Sequence, residues 1–188
     1  MKYDRETNTF SEIPMIRAGK RVFPHVTQMQ ELHNGEIWMT TTGQGMFRLD
    51  EEQKQAVSVD ELLRQSNYNF QSCFYEDSYY NLWIGTYGNG LICYIPATKE
   101  VRVFKYPALN DNNIAAIIED KQGNLFVGTQ KKGLSCYNRK ENCFTPVPYM
   151  GNNVLSVYCM SLVDGQLLVG TDGQGLKKYN PIKMCLED

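Results

Sequence analysis

The sequence predicts an all-β fold, because one phrase of ten residues, rich in strand-forming residues and glycine, occurs four times. Each copy closes on a glycine, and successive closing glycines are 45, 43 and 42 residues apart. These glycines are Gly45, Gly90, Gly133 and Gly175. A repeat of this length is typical of one four-stranded β-propeller blade, whereas helical repeats of similar length carry a 3.6-residue periodicity that this chain lacks. We therefore predict four antiparallel blades of four strands each.

The third copy shows how one repeat divides into four strands. Residues 113–120 are rich in β-branched residues and stop at a turn-forming cluster, so they form the first strand. Residues 125–129 are apolar on both faces, as expected of a second strand between neighbouring blades. Residues 134–137 form the third strand. Residues 143–147 form the fourth, which Pro146 restricts to a sheet edge.

The other copies keep this strand order with local changes. In the first copy Thr40 replaces the glycine of the later copies. Because threonine has a side chain, we expect the neighbouring backbone to lie further away at this position than in the later copies. Ser58 and Glu61 have the spacing of a capping box, which predicts one short helical turn and accounts for the longest repeat. In the fourth copy, residues 154–162 form a long apolar first strand.

The blade boundaries follow from these strands, and we predict a single propeller-type domain over residues 1–188. Its parts are a tail of a preceding blade at 1–13, then blades at 14–66, 67–109, 110–150 and 151–188. Such a chain could close into a four-bladed ring or form an arc of a larger ring, and we favour the arc. An arc leaves two apolar blade faces bare, which favours self-association.

Two columns of bulky residues are predicted to hold the blades together. The first contains Trp38, Trp83, Phe126 and Leu168, and the second contains Leu49, Tyr94, Tyr137 and Tyr179. Both columns recur at the repeat spacing, so a structural role is expected for them, as for the closing glycines.

Composition excludes several functional classes. The chain has 188 residues, 42% of them hydrophobic, which is typical of a soluble globular protein. Its formal charge is −2, and no basic stretch exceeds two residues, so nucleic acid is an unexpected partner. No segment approaches the ~18 consecutive apolar residues of a membrane span, and the start does not resemble a signal peptide.

The six cysteines form no CxxC pair, and we expect free thiols. Cys93 and Cys136 each follow a repeat glycine by three residues, which indicates the same packing position in neighbouring blades. The two histidines, His25 and His33, have no partner at metal-ligand spacing, so neither a metal site nor a cofactor is predicted.

The repeats resemble a known family. The pattern Asn-x-x-x-x-Ile-x-x-Asp-x-x-Gly-Asn-Leu-(Trp/Phe)-(Ile/Val)-Gly-Thr-x-x-x-Gly-Leu-x-x-Tyr is most complete at 113–137 and partly kept at 36–49, 77–94 and 153–179. It is similar to the two-component regulator propeller repeat. The resemblance implies the periplasmic sensor region of a hybrid two-component histidine kinase, in which propellers detect oligosaccharides. Membrane, kinase and receiver segments are not present here, so signalling is expected to depend on the remainder of a longer sensor.

The alternation of strand direction places the turns between second and third strands on the same face as the connections between blades. By the same resemblance, this is the usual binding face of a propeller. Neutral amides and a tyrosine suit sugars, which need hydrogen bonds for their hydroxyls and an aromatic surface for their rings. We predict Tyr87, Asn89, Asn112 and Gln130 nearest the ligand. Turn geometry alone also explains Asn and Gly at such positions.

Two alternative functions are also compatible with the sequence. A propeller lyase similar to the streptogramin-inactivating enzymes would need a base and metal ligands, for which only His25, Glu31 and His33 are candidates. A protein-interaction scaffold would use the opposite face, where Glu76, Asp77, Tyr79 and Tyr80 are candidate contacts. We predict a non-catalytic sensor.

Overall fold

The computed structural model describes residues 1–59, 71–151 and 154–188, which form twenty β-strands joined by turns. The prediction of an all-β fold built from antiparallel blades is confirmed. Within the described ranges no helix has the length and apolar character needed to cross a membrane. The chain forms two compact units, Met1–Phe70 and Gln71–Asp188. Most of the predicted helical turn after Ser58 lies outside the described residues.

The first unit contains a separate two-stranded hairpin and one six-stranded sheet. Its strands are β1 (Lys2–Asp4), β2 (Thr9–Ser11), β3 (Met15–Arg17), β4 (Lys20–Val22), β5 (His25–Glu31), β6 (Ile37–Thr42), β7 (Met46–Asp50) and β8 (Gln55–Ser58). The sheet has the order β4-β3-β8-β7-β6-β5. The structure therefore adds β3 and β4 to the outer edge of the four strands that the repeat pattern predicted.

The added hairpin is held by backbone pairing and by apolar contacts. Strand β3 pairs in parallel with β8, and the amide of Ala56 donates to the carbonyl of Pro14 at 2.8 Å. Met15 and Val22 pack against the buried side chain of Phe47. A short strand at this position protects backbone groups that would otherwise stay unpaired along the edge of β8.

The second unit contains three four-stranded antiparallel sheets. The first sheet has β9 (Gln71–Glu76), β10 (Leu82–Thr86), β11 (Leu91–Ile95) and β12 (Glu100–Phe104). The second has β13 (Ile114–Glu119), β14 (Leu125–Thr129), β15 (Gly133–Asn138) and β16 (Cys143–Val147). The third has β17 (Val157–Val163), β18 (Gln166–Thr171), β19 (Leu176–Asn180) and β20 (Cys185–Glu187). Pro146 lies in β16 at a sheet edge, as predicted.

The three sheets of this unit pack side by side through their first strands. Strand β13 contacts both β9 and β17, so the first strands are neighbours. Two apolar clusters fill the spaces between successive sheets, one around Trp83 and one around Phe126. The unit therefore has the blade-on-blade arrangement of a propeller.

Aromatic residues dominate both clusters. The Trp83 ring lies 4.8 Å from the Tyr137 ring and 5.9 Å from that of Phe104, measured between centroids. Phe126 lies 4.8 Å from Tyr179 in the next cluster. Leu168, in the equivalent column position of the third sheet, is only half-buried. Trp83 and Phe126, which a following sheet covers, are by contrast fully buried.

Two glycines allow the sheets to approach. A Cβ atom on Gly85 would lie 2.7 Å from Cγ2 of Ile114, and one on Gly128 would lie 2.4 Å from Cγ1 of Val157. Real Cβ atoms do not come so close, so the first strand of the next sheet occupies the space of the missing side chain. In the first unit the equivalent Thr40 is buried, and its hydroxyl is 2.9 Å from that of Thr27.

Each repeat also fixes its second hairpin with a threonine. The threonine hydroxyl donates to the carbonyl of the closing glycine in all four copies. The pairs are Thr41–Gly45 at 2.7 Å, Thr86–Gly90 at 2.7 Å, Thr129–Gly133 at 3.0 Å and Thr171–Gly175 at 2.6 Å. The closing glycines have φ between 74° and 82°, which glycine adopts without strain. The Gly-Thr-x-x-x-Gly phrase is therefore a turn motif.

The hairpins between third and fourth strands share a geometry with the β1–β2 hairpin. The residue before the fourth strand has a left-handed backbone in each repeat, with φ from 52° to 58°. These residues are Lys54, Lys99, Asn142 and Met184, and Asn8 in the β1–β2 hairpin has φ 53°. The first hairpin thus has the form of the outer two strands of a blade.

A cluster of charged residues joins the first and second sheets of the second unit. The Arg139 guanidinium donates to Asp77 at 2.9 Å and to Glu119 at 2.5 Å, and both carboxylates are buried. Ser78 donates to Glu119 through its amide and its hydroxyl, at 2.6 and 2.9 Å. We call Asp77, Ser78, Glu119 and Arg139 the inter-sheet cluster.

Asp77 is the most heavily bonded member of the inter-sheet cluster. It accepts hydrogen bonds from the Trp83 indole at 2.7 Å and from the backbone amide of Asn81 at 2.9 Å. Burial by itself raises the pKa of Asp77, but the donors, with Arg139 among them, outweigh burial and hold the pKa below its usual value. The carboxylate therefore contributes to stability in its charged form.

We predict that Trp83→Ala lowers the free energy of unfolding by ~3–5 kcal/mol, because the indole fills the space between two sheets. Leu168→Ala provides the matched control at the same column position, and its half-buried side chain should cost less than half as much. Denaturant unfolding of both variants measures the difference. A loss below ~1 kcal/mol for Trp83→Ala would show that the packing has been misinterpreted.

We expect Gly128→Ala to destabilise the chain by ~1–3 kcal/mol, because the new methyl group overlaps Val157. Shortening the neighbour should relieve part of this overlap, so the Gly128→Ala/Val157→Ala double variant should lose less stability than the sum of the two single variants. Thermal unfolding of the three variants tests this, and strictly additive losses would argue against the close approach.

The stability conferred by Asp77 should depend on pH in a defined direction. Because the folded pKa is depressed, the contribution is present above the ordinary pKa of about 3.9 and is lost as pH falls through the folded pKa. Wild type should therefore exceed Asp77→Asn in unfolding free energy at neutral pH, with a gap that shrinks below about pH 4. A gap that stays constant between pH 7 and pH 3 contradicts the assignment.

Candidate ligand-binding face

The turns between second and third strands lie against the connections between sheets. The carbonyl of Asn112 accepts the amides of Gly88 and Gly90 at 3.1 and 2.9 Å. The amide of Gln130 donates to the carbonyl of Asn113 at 3.0 Å. The backbone at 112–113 thus lies between the β10–β11 and β14–β15 turns, and it fixes both of them.

The third sheet repeats this arrangement. The amide of Asp172, in the β18–β19 turn, donates to the carbonyl of Ser156 at 2.9 Å, and the Gln174 side chain donates to the carbonyl of Val154 at 3.0 Å. The corresponding connections at 68–69 and 152–153 lie outside the described residues. Turns and connections therefore share one face, which we call the turn face.

The structure brings the four predicted ligand residues together on the turn face. Tyr87 is 45% exposed, and Asn89 and Gln130 are half-buried. Within the described part of the chain, the side chains of these three residues make no hydrogen bond, so their polar groups are available. Asn112 differs, because its side-chain oxygen accepts the amide of Tyr106 at 2.8 Å and orders the connection.

A cavity of about 300 Å³ lies beside Asn112 on this face. Its lining residues are Tyr106, Asn110, Asp111, Asn112, Lys131 and Lys132. Tyr87, Asn89 and Gln130 do not line it, so the predicted residues are divided between the cavity and its surroundings. Sequence reasoning missed Tyr106, and the only signal was an aromatic residue directly before Pro107 at the start of the connection.

The opposite face is organised by the inter-sheet cluster. Glu76 and Asp77 precede the β9–β10 turn, in which Tyr79 and Tyr80 are exposed. Asp77 is buried and its oxygens are already hydrogen-bonded, so the expectation that it contacts a partner is wrong. Arg139 stacks on the Tyr79 ring at 4.6 Å from the centroid. The charged groups of this face are thus largely used internally.

Of the candidate groups for a lyase, His25 is far from Glu31. His25 and Glu31 stand at opposite ends of β5, about 20 Å apart for a seven-residue strand. In the described ranges no group of three or more His, Cys, Asp or Glu residues is arranged to hold a metal ion. Burial raises the pKa of the Cys73 and Cys93 thiols to about 12, which makes them poor nucleophiles.

Comparison with solved structures identifies neighbours with the same fold. The extracellular domain of the proposed hybrid two-component system BT3049 from B. thetaiotaomicron aligns with 98% of this chain, at 22% identity and a TM-score of 0.80. The extracellular domain of the proposed one-component system BT4673 from the same organism aligns with 99%, at 21% identity and a TM-score of 0.72. The chain spans 24% and 26% of those two structures.

A third neighbour has a different description. An auxiliary nutrient binding protein from Bacteroides thetaiotaomicron aligns with 88% of this chain and 41% of its own, at 10% identity and a TM-score of 0.66. Identities this low establish the fold and nothing more. A search of curated proteins finds no significant match.

The family comparison addresses the sequence repeats directly. The family model described as the two-component regulator propeller matches residues 64–88 and 108–131. The second segment includes the connection and the first two strands of the second sheet. The prediction is thus confirmed for these two segments, which match two-component regulator propeller repeats.

Proposed function

We propose that this chain is a non-catalytic, ligand-sensing part of a two-component sensor, that it acts outside the cytoplasm, and that it binds oligosaccharides through the turn face. The proposal rests on one observation, the hydrogen bonds that the backbone at 112–113 makes to two neighbouring turns. This backbone holds two turns in place, and among the described residues the polar side chains of Tyr87, Asn89 and Gln130 have no hydrogen-bond partner. Polar groups held in position without internal partners favour ligand binding.

The chemistry of these groups suits sugars. Amide side chains both donate and accept, which matches adjacent sugar hydroxyls, and exposed tyrosine rings offer apolar surface to the sugar ring. Tyr87 and Tyr106 are both exposed near the backbone that joins the first and second sheets. A saccharide lying across this face would contact residues of more than one sheet.

The neighbours support the proposed location and role. Two of them are described as extracellular domains of two-component or one-component systems, and a third as a nutrient binding protein. Those structures are longer than this chain, so the remainder of a sensor is the proposed partner for signalling. Binding changes the output only if the ligand has different affinities for two arrangements of that sensor.

A second candidate function is self-association through the third sheet. Tyr158 is 77% exposed, and Leu176 is also exposed on the same sheet. Leu91 and Leu134, which are equivalent to Leu176 in the first two sheets, are buried in the clusters between sheets. A mass measurement in solution over a range of concentrations tests this candidate, which a purely monomeric chain would contradict.

The sensor proposal predicts that neutral or acidic plant and host oligosaccharides shift amide resonances on the turn face. Tyr87→Ala should weaken binding roughly twofold to tenfold, which corresponds to the ~0.5–1.5 kcal/mol typical of an aromatic contact. Tyr80→Ala removes an exposed tyrosine of the opposite face and should leave affinity unchanged. Chemical-shift titration of the three proteins measures both effects. Shifts confined to the turns of the opposite face would refute the proposal.

A further inference from the structure

Among the turns between second and third strands in the second unit, positive charge occurs in one turn only. Lys131 and Lys132 are exposed in the β14–β15 turn and line the cavity beside Asn112. The equivalent positions hold Gly88 and Asn89 in the first sheet, and Gly173 and Gln174 in the third. The second sheet is thus the only one of the three whose turn brings two ammonium groups to this face.

These ammonium groups are not used in the fold. Neither Lys131 nor Lys132 forms an ion pair or a side-chain hydrogen bond within the part of the chain that the structure describes. Lys132 is placed instead by its backbone, whose amide donates to the Thr129 hydroxyl at 3.2 Å and whose carbonyl accepts the Asn110 side chain at 3.3 Å. Backbone hydrogen bonds therefore hold the turn in position, and the ammonium groups of both lysines remain available to a ligand.

Asp111 is the one acidic residue among those that line the cavity, and one of its two carboxylate oxygens already accepts hydrogen bonds. The Oδ1 atom of Asp111 accepts both the backbone amide and the side chain of Asn113, each at 3.2 Å. Its Oδ2 atom is enclosed and has no hydrogen-bond partner among the described residues. Two exposed ammonium groups therefore outweigh one partly enclosed carboxylate, and the mouth of the cavity is positive.

The remaining lining suits a sugar ring. Tyr106 is 67% exposed, and the bond from its amide to Asn112 holds its backbone. An aromatic ring can stack on the apolar side of a sugar, and lysine ammonium groups beside it can form ion pairs with an anionic substituent of that sugar.

We propose that this cavity binds an acidic oligosaccharide, with Lys131 and Lys132 contacting a carboxylate or sulfate group and Tyr106 contacting the ring. This rests on the proposed function and names the ligand class of the same face. Neutral oligosaccharides should bind more weakly, because nothing in them compensates for the desolvation of two ammonium groups.

The test compares acidic with neutral probes on the full chain. The acidic set contains tetragalacturonate, an alginate tetramer and a chondroitin sulfate tetrasaccharide. The neutral set contains methyl-esterified tetragalacturonate, which differs from its acidic counterpart only in its esters, together with cellotetraose and a galactose tetramer. We expect at least one acidic probe to bind roughly tenfold or more tightly than any neutral one, with affinity falling as ionic strength rises.

Double variants distinguish the effect of the lysine charges from any effect on folding. The Lys131→Gln/Lys132→Gln double variant should lose roughly tenfold or more in affinity for the acidic probe, whereas Lys131→Arg/Lys132→Arg should retain most of it. Lys121→Gln/Lys140→Gln removes two exposed lysines from the turns at the opposite ends of these strands and should change nothing. Calorimetric titration measures the affinities, and thermal unfolding verifies that each variant folds.

The outcomes distinguish this inference from the sensor proposal. Neutral probes that bind the turn face as tightly as acidic ones would overturn the acidic preference and leave the sensor proposal intact. Unchanged affinity in the Lys131→Gln/Lys132→Gln variant would also overturn it. If no acidic probe binds, the inference is wrong, and if no probe of either set binds, the oligosaccharide proposal fails with it.

Discussion

The second unit depends on one steric constraint, the close approach of successive sheets at Gly85 and Gly128. A side chain at either glycine would occupy the space of Ile114 or Val157, which begin the neighbouring first strands. This approach brings the sheets together around Trp83 and Phe126, whose wide aromatic rings fill the apolar clusters between the sheets. In each case the glycine and the aromatic residue lie two positions apart on the same second strand, β10 or β14. One strand therefore carries both the close approach and the bulk that fills the space between sheets.

The same spacing determines where the turn face forms. With the first strands adjacent, each connection between sheets passes beside the turn of the preceding sheet, and the carbonyl of Asn112 accepts two amides from that turn. The threonine–glycine hydrogen bond in every repeat stabilises the turn from within. Backbone groups thus carry the architecture of the turn face, so that its side chains are free to vary from repeat to repeat. Lys131 and Lys132 in one turn and Tyr87 in another are examples of that variation.

Local patterns in the sequence predicted most strands of the repeats but not the contacts between distant residues. Strand bounds at Leu125–Thr129 and Cys143–Val147 follow from short-range alternation and turn residues, and they agree with the structure residue by residue. Hairpin β3–β4 was missed, because three-residue strands leave almost no periodic signal. The ion pair between Asp77 and Arg139 spans 62 residues and has no local signature. The cavity at Tyr106 likewise exists only once the connection has folded against the β14–β15 turn.

The two faces of the second unit use their polar groups in opposite ways. On the side of the inter-sheet cluster, Asp77, Glu119 and Arg139 satisfy one another, and a ligand there would have to compete with bonds that hold two sheets together. On the turn face, backbone bonds already satisfy the fold, so a ligand can use Tyr87, Gln130 or the lysines at no cost to stability. Such a face is pre-organised and should change little on binding. A signal must then come from a ligand that also contacts something outside these three sheets, because a rigid surface alone favours neither of two states.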